Sequence, residues 1–123
     1  MDFNKFTTKS QEAVQNAQQI AEGNGHQSIE TGHLLLGILE VDKEVTPYLL
    51  GKLQVNQNMM RSALDRIVES YPKVSGGNVY LSQQLGRILN YALNEMKKFG
   101  DEYVSIELLV YSLLDSTDAI GQL

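Results

Sequence analysis

Apolar residues recur at three- and four-residue intervals almost from one end of the chain to the other. Ala13, Val14, Ala17, Ile20 and Ala21 fall on one helical face. Thr7 or Thr8 stands where a hydroxyl can accept from the first free N–H groups, with Ser10 or Gln11 three residues later. Gly23 and Gly25 supply a stop, because glycine adopts the left-handed backbone of a helix C-terminus without a Cβ penalty. A second helix takes Leu34, Leu35, Leu36, Ile38 and Leu39, apolar on most sides and therefore central. Thr46-Pro47, a hydroxyl cap followed by proline at the first helical position, predicts a short third helix through Leu53. Asn56 or Asn58 opens a fourth, with Met60, Leu64, Ile67, Val68 and Tyr71 sharing a face.

Residues 72–80, PKVSGGNVY, then break the pattern with proline and paired glycines and read as the one linker. Ser82 caps a fifth helix carrying Leu85, Ile88, Leu89, Ala92 and Met96 and ending at Gly100, with Lys97-Lys98 as its solvated end. The sixth holds Leu108, Leu109, Val110, Leu113 and Leu114. Val79–Leu81 is too short to compete as a strand. A shift of 75 residues brings the two halves into register without a gap: Thr7 meets Ser82, Ala17 meets Ala92, Gly25 meets Gly100, Ile29 meets Val104 and Leu34 meets Leu109. The expectation is therefore an all-α single domain, 1–123, of two pseudo-symmetric repeats. Repeat one spans about 1–71, the linker about 72–81, and a partial repeat two, truncated at its C-terminus, about 82–123.

Composition removes several classes of function. With 42% apolar and 20% charged residues the chain can bury a core of its own. It has no cysteine, which excludes disulfides and thiolate metal sites. A formal charge of -5, with scattered basic residues, argues against nucleic-acid binding. No apolar run is long enough for a membrane span, and MDFNKFTTKSQ lacks the core of a signal peptide, so a cytoplasmic domain is expected. Gly51-Lys52-Leu53 is no phosphate loop, and HExxH and GxSxG are absent. With only His26 and His33, a histidine triad or zinc site lacks material. His33 falls opposite Leu108 in the 75-residue register, which predicts a packed imidazole with one satisfied nitrogen. The Met59-Met60 pair is assigned to the core. Thr7, Asp101 and Glu107 can be read as caps and loop anchors, Glu107 being favoured by the free N–H groups of a first helical turn.

FTTKSQEAVQNAQQIA, IETGHLLLGILE, TPYLL and VSIELLVYSLLD together resemble the double Clp N-terminal domain of AAA+ unfoldases, over essentially the whole chain. FTTKSQEA near the N-terminus and the linker YPKVSGGNVYLS make the ClpB-type disaggregases the nearest branch, with the ClpA and ClpC types as the alternative. The resemblance implies two four-helix repeats forming a non-catalytic appendage of a hexameric ATPase ring, the isolated domain being a monomer. It implies no cofactor in this domain, ATP and magnesium belonging to downstream modules. It implies unfolded or aggregated proteins as partners, or an adaptor in the alternative. It carries three polar site residues onto Thr7, Asp101 and Glu107, and an apolar groove onto Leu89, Tyr91 and Leu108. Glu95 departs from the pattern, standing where leucine is common in the family.

Overall fold

A computed structural model describes every residue except Met1, Ser75, Thr117 and Ala119. Its helices begin where the sequence supplies oxygen to otherwise unpaired N–H groups. A short 3-10 turn, Phe3–Lys5, leads into α1, Thr8–Gly23, whose cap is Thr7: the hydroxyl accepts from Ser10 N at 3.1 Å. Asn24 closes α1 and Gly25 follows at φ +73°. Then come β1, Ser28–Ile29; α2, Thr31–Val41; α3, Val45–Lys52; and α4, Gln57–Glu69, capped by Asn56. The connector, of which Ser75 lies outside the described residues, leads to β2, Tyr80–Leu81, then α5, Gln83–Lys98, and α6, Ile106–Leu114. Ser82 and Ser105 cap the last two through Leu85 N (3.0 Å) and Leu108 N (3.2 Å).

The start of α3 differs from expectation. Glu44 occupies the N-cap position, the Asp42 carboxylate two residues earlier does the capping, and Thr46 lies inside the first turn. The Asp42 carboxylate accepts from the N–H groups of Glu44 (3.1 Å), Val45 (3.1 Å) and Thr46 (2.8 Å) and from the Thr46 hydroxyl (2.7 Å). Two carboxylate oxygens satisfy three orphan donors where a hydroxyl would satisfy one. Burial alone would raise the Asp42 pKa, but these hydrogen bonds, the Thr46 hydroxyl foremost, hold it below the ordinary value. Pro47 sits where its missing N–H leaves no gap. The methionine pair also splits, Met60 being buried and Met59 exposed.

The short strands are more than decoration. β1 and β2 pair in parallel, Ser28 opposite Tyr80 and Ile29 opposite Leu81, and a second parallel bridge joins Phe6 to Val104. Ser82 N donates to Ile29 O at 3.0 Å, and Thr7 N donates to Val104 O at 3.0 Å. These bonds coincide under the 75-residue offset: the residue entering the first helix of each half is tied to the loop before the second helix of the other half.

The core runs through both halves: Phe6, Leu34, Ile38, Leu64, Leu85, Leu89, Leu109, Leu113 and Ile120 are all buried to within 1%. The helix pairs within it are unequal. An added Cβ on Gly37 would collide with the Ala13 carbonyl, so α2 lies directly against α1. The corresponding residues of α6 and α5 are Ser112 and Ile88, and that pair packs less closely. Ser112 turns its hydroxyl onto the Leu108 carbonyl at 2.8 Å. Gly37→Ala is expected to cost about 2 kcal/mol in urea denaturation, because backbone has to give way. Ser112→Ala, which removes one buried hydrogen bond to a carbonyl already paired within the helix, is expected to cost about 1 kcal/mol.

Candidate functional site

Where α5 ends, Gly100 takes φ +75° and lets the chain reverse, placing Phe99 before the turn and Asp101 after it. Ser105 then starts α6, with Glu107 in its first turn and Leu108 beside it. Phe99, Asp101, Ser105, Glu107, Leu108 and Tyr111 border one open depression of about 340 Å³. Leu108 forms the floor, only 7% exposed, whereas Phe99 and Tyr111 stand out at 66% and 47%. The two carboxylates are exposed at the rim, where Glu107 also meets the positive end of the helix.

Tyr111 joins this depression to a second, lined by Gln84, Arg87, Ile88, Tyr91, Ser112, Asp115 and Ser116. The Tyr91 and Tyr111 rings stack with centroids 6.3 Å apart, and the Tyr91 hydroxyl donates to Asp115 Oδ2 at 2.8 Å. Tyr111, Asp115, partial burial and Glu95, in that order, all favour the neutral phenol, so the Tyr91 pKa is raised. Glu95 lies one turn beyond Tyr91 on α5, its side chain only 13% exposed and 3.8 Å from Lys98 Nζ.

The expected site residues therefore separate. Asp101, Glu107 and Leu108 come together, and Tyr91 adjoins them across Tyr111. Thr7 lines neither depression: its hydroxyl donates to Ser10 Oγ at 2.8 Å and accepts from Ser10 N, as a cap does. Leu89 is a correction. It is completely buried on the core face of α5 and does not line the groove. The helical period had already put it on the stripe of Leu85, Ala92 and Met96. Phe99 and Tyr111 were missed, although Tyr111 lies one turn after Glu107 and Leu108 and so shares their face.

In the first half the corresponding corner is closed. His33 Nδ1 accepts from Glu30 N at 2.8 Å, which puts its proton on Nε2, 2.8 Å from His26 Nδ1. Both ring nitrogens are thus paired, one more than expected, and the remaining proton falls on His26 Nε2, a buried atom with no hydrogen-bond partner among the described residues. Tyr71 lies against both imidazoles and accepts from Gly32 N at 3.2 Å.

Paired helices repeated at a fixed offset define a mostly helical repeat domain. The Clp repeat (R) N-terminal domain model matches residues 5–123, and the chain belongs to this family. It is 43% identical to the chaperone protein ClpB of Bacteroides thetaiotaomicron over 114 residues, covering 93% of this chain and 13% of that protein. The Porphyromonas gingivalis ClpB is 36% identical over the same share. The chain thus spans about an eighth of the length of these curated relatives. Among solved structures, the Candida albicans Hsp104 N-terminal domain superposes with TM-score 0.86 at 18% identity, over 96% of this chain and 78% of that one. The ClpV1 N-terminal domain of E. coli gives 0.84 at 18%, over 93% and 70%.

Burial, and then the neighbouring His26, lower the His33 pKa from 6.5 to about 4. Protonation would also set an N–H against an N–H along the Glu30–His33–His26 chain. Stability present above pH 6.5 is therefore lost as the pH falls toward 4, by up to about 3 kcal/mol. His33→Leu, although it copies the other half, leaves Glu30 N and His26 Nδ1 unpaired and is expected to cost about 2 kcal/mol at pH 7.5. It should also flatten the acid limb, as urea midpoints at pH 7.5 and pH 5 would show.

Proposed function

We propose that this domain is the substrate-engaging N-terminal module of an ATP-dependent protein disaggregase. It holds exposed apolar segments of unfolded or aggregated proteins in the groove along α6. The single observation carrying this reading is the depression floored by Leu108, walled by the exposed rings of Phe99 and Tyr111 and rimmed by Asp101 and Glu107. Apolar side chains in that groove leave water, while the carboxylates keep the rim wet and discourage permanent association. The ClpB identity of the similar chaperones supports this branch over an adaptor-docking unfoldase.

Weak binding suits such a module. An extended client loses conformational freedom when held and offers few rigid anchors, so the net free energy is small. Several copies on one ring would raise the effective concentration without tightening any single contact. Asp101 and Glu107 serve the rim, and Thr7 supports it from α1, its N–H bonded to the Val104 carbonyl three residues before Glu107.

Tyr111→Ala, which removes an exposed ring and leaves the core alone, is expected to weaken binding of a permanently unfolded model protein about three- to tenfold, with an unchanged melting temperature. Leu108→Ser should weaken it further at some cost in stability, since Leu108 also belongs to the core. Titration followed by amide NMR checks both; full affinity in folded Tyr111→Ala and Leu108→Ser variants would overturn the groove assignment.

A further inference from the structure

A chemically reactive pair stands away from the groove, at the end of α1. Of the eight asparagines in the chain only Asn24 precedes a glycine. Asparagine is a labile amide, and a following glycine, having no Cβ, leaves its peptide nitrogen open to the carboxamide carbon. Asn24 and Gly25 are both exposed, and the space where a Gly25 Cβ would stand is empty. Hydrogen bonds hold the two reacting groups. Asn24 Nδ2 donates to the Ile20 carbonyl at 2.8 Å, and Gly25 N donates to the Glu22 carbonyl at 3.1 Å. The leaving nitrogen and the attacking nitrogen are thus each tied to the last turn of α1, the part of a helix that opens most readily.

The turn itself does not need this amide. The 75-residue offset places Phe99 before Gly100 in the other half. Gly100, at φ +75°, donates to the Lys97 carbonyl at 3.1 Å, just as Gly25, at φ +73°, donates to Glu22. Asn24 therefore adds a reactivity that the fold can do without. Its position is also consequential. The Gly25 carbonyl accepts from Val74 N at 3.0 Å, which fastens the connector to the first half, and His26 N donates to the Ala21 carbonyl at 2.9 Å.

We infer that Asn24–Gly25 is a self-modification site, gated by opening of the last turn of α1, whose isoaspartate product loosens the hold of the first half on the connector. In the open turn the Gly25 nitrogen gives its proton to solvent and bonds to Asn24 Cγ. The Cγ–Nδ2 bond breaks, and the nitrogen leaves as ammonia. Water then opens the cyclic imide at one carbonyl or the other, giving aspartate or isoaspartate. The isoaspartate form carries the main chain through the former side chain and adds one carbon between Asn24 and Gly25. Gly25 and His26 then cannot keep their bonds to Glu22, Ala21 and Val74 together. The aspartate form instead sets a carboxylate against the Ile20 carbonyl, at the negative end of α1.

The test incubates the 123-residue chain in mildly alkaline buffer, folded and in guanidinium, and maps isoaspartate by mass spectrometry after enzymatic methyl labelling. Asn24 should react ahead of the other asparagines. It should react about tenfold more slowly in the folded chain than in the unfolded one, because two hydrogen bonds have to open first. The isoaspartate form, separated by chromatography, should exchange its Val74 amide hydrogen about tenfold faster than the unmodified chain. Asn24→Ser, which cannot form the imide, should exchange that hydrogen at the same rate before and after incubation. Equal rates in the folded and unfolded chain, or another asparagine reacting first, overturn the gated site. A Val74 amide as well protected in the isoaspartate form as in the unmodified chain overturns the effect on the connector.

Discussion

Two parallel backbone bridges hold this molecule in register. Phe6 with Val104, and Ile29 with Leu81, tie the approach to each leading helix to the loop that launches the other half's second helix. Each bond contributes on the order of 1 kcal/mol, a modest amount. Their larger effect is geometric: they set where α1 and α5 begin relative to α6 and α2, and the caps at Thr7 and Ser82 follow immediately. Val104 stands two residues before α6, so the position of Glu107 and Leu108 depends on a strand from the opposite end of the chain. The candidate groove is thus a product of both halves.

On that common frame the halves diverge through a few side chains. Gly37 against Ala13 allows α1 and α2 to touch, and Leu64 and Val68 of α4, with Tyr71 just beyond its end, seal them. Ser112 and Ile88 hold α5 and α6 further apart, and the rings of Tyr91 and Tyr111 occupy the surface instead. The closed copy places two neutral histidines under a tyrosine, a polar cluster that hydrogen bonding makes tolerable and acid does not. The open copy has at the same corner Asp101 and Leu108, which need no such protection because one faces water and the other is itself apolar. The two halves thus present related surfaces, and a handful of differing residues leave a packed histidine–tyrosine cluster in one and exposed rings in the other.

Most of the helical plan was legible because each signal acts locally. Thr7, Asn56 and Ser82 cap as their hydroxyls and amide dictate, and Gly25 and Gly100 terminate with positive φ. The failures come from longer range. Asp42 outcompeted Thr46 for the start of α3 because a buried carboxylate can gather several donors at once, which no short window of sequence displays. Val79–Leu81 reads as too short in sequence, yet Tyr80–Leu81 is a strand; it and the Phe6 bridge go unrecognised because their pairings span 52 and 98 residues, from Ile29 to Leu81 and from Phe6 to Val104. Asp101, Glu107 and Leu108 border the depression, whereas Leu89 was placed there against its own helical period. Phe99 entered the site only through the turn at Gly100, whose direction is a tertiary fact.

The reciprocity of the two bridges bears on how such molecules meet one another. The backbone hydrogen bonds of the two bridges pair one half's entry with the other half's loop, and neither end records whether both belong to the same chain. The connector that keeps them together runs through Gly76 and Gly77, both at positive φ and exposed, and its Val74 N–H is held by the Gly25 carbonyl. Two chains that traded second halves would remake the same bonds, the same caps and the same core. What favours the single-chain form is the short tether, which presents each half to its mate at an effective concentration far above that of a neighbour. Stiffening or shortening that glycine pair would erode the advantage and favour exchange of halves between two chains.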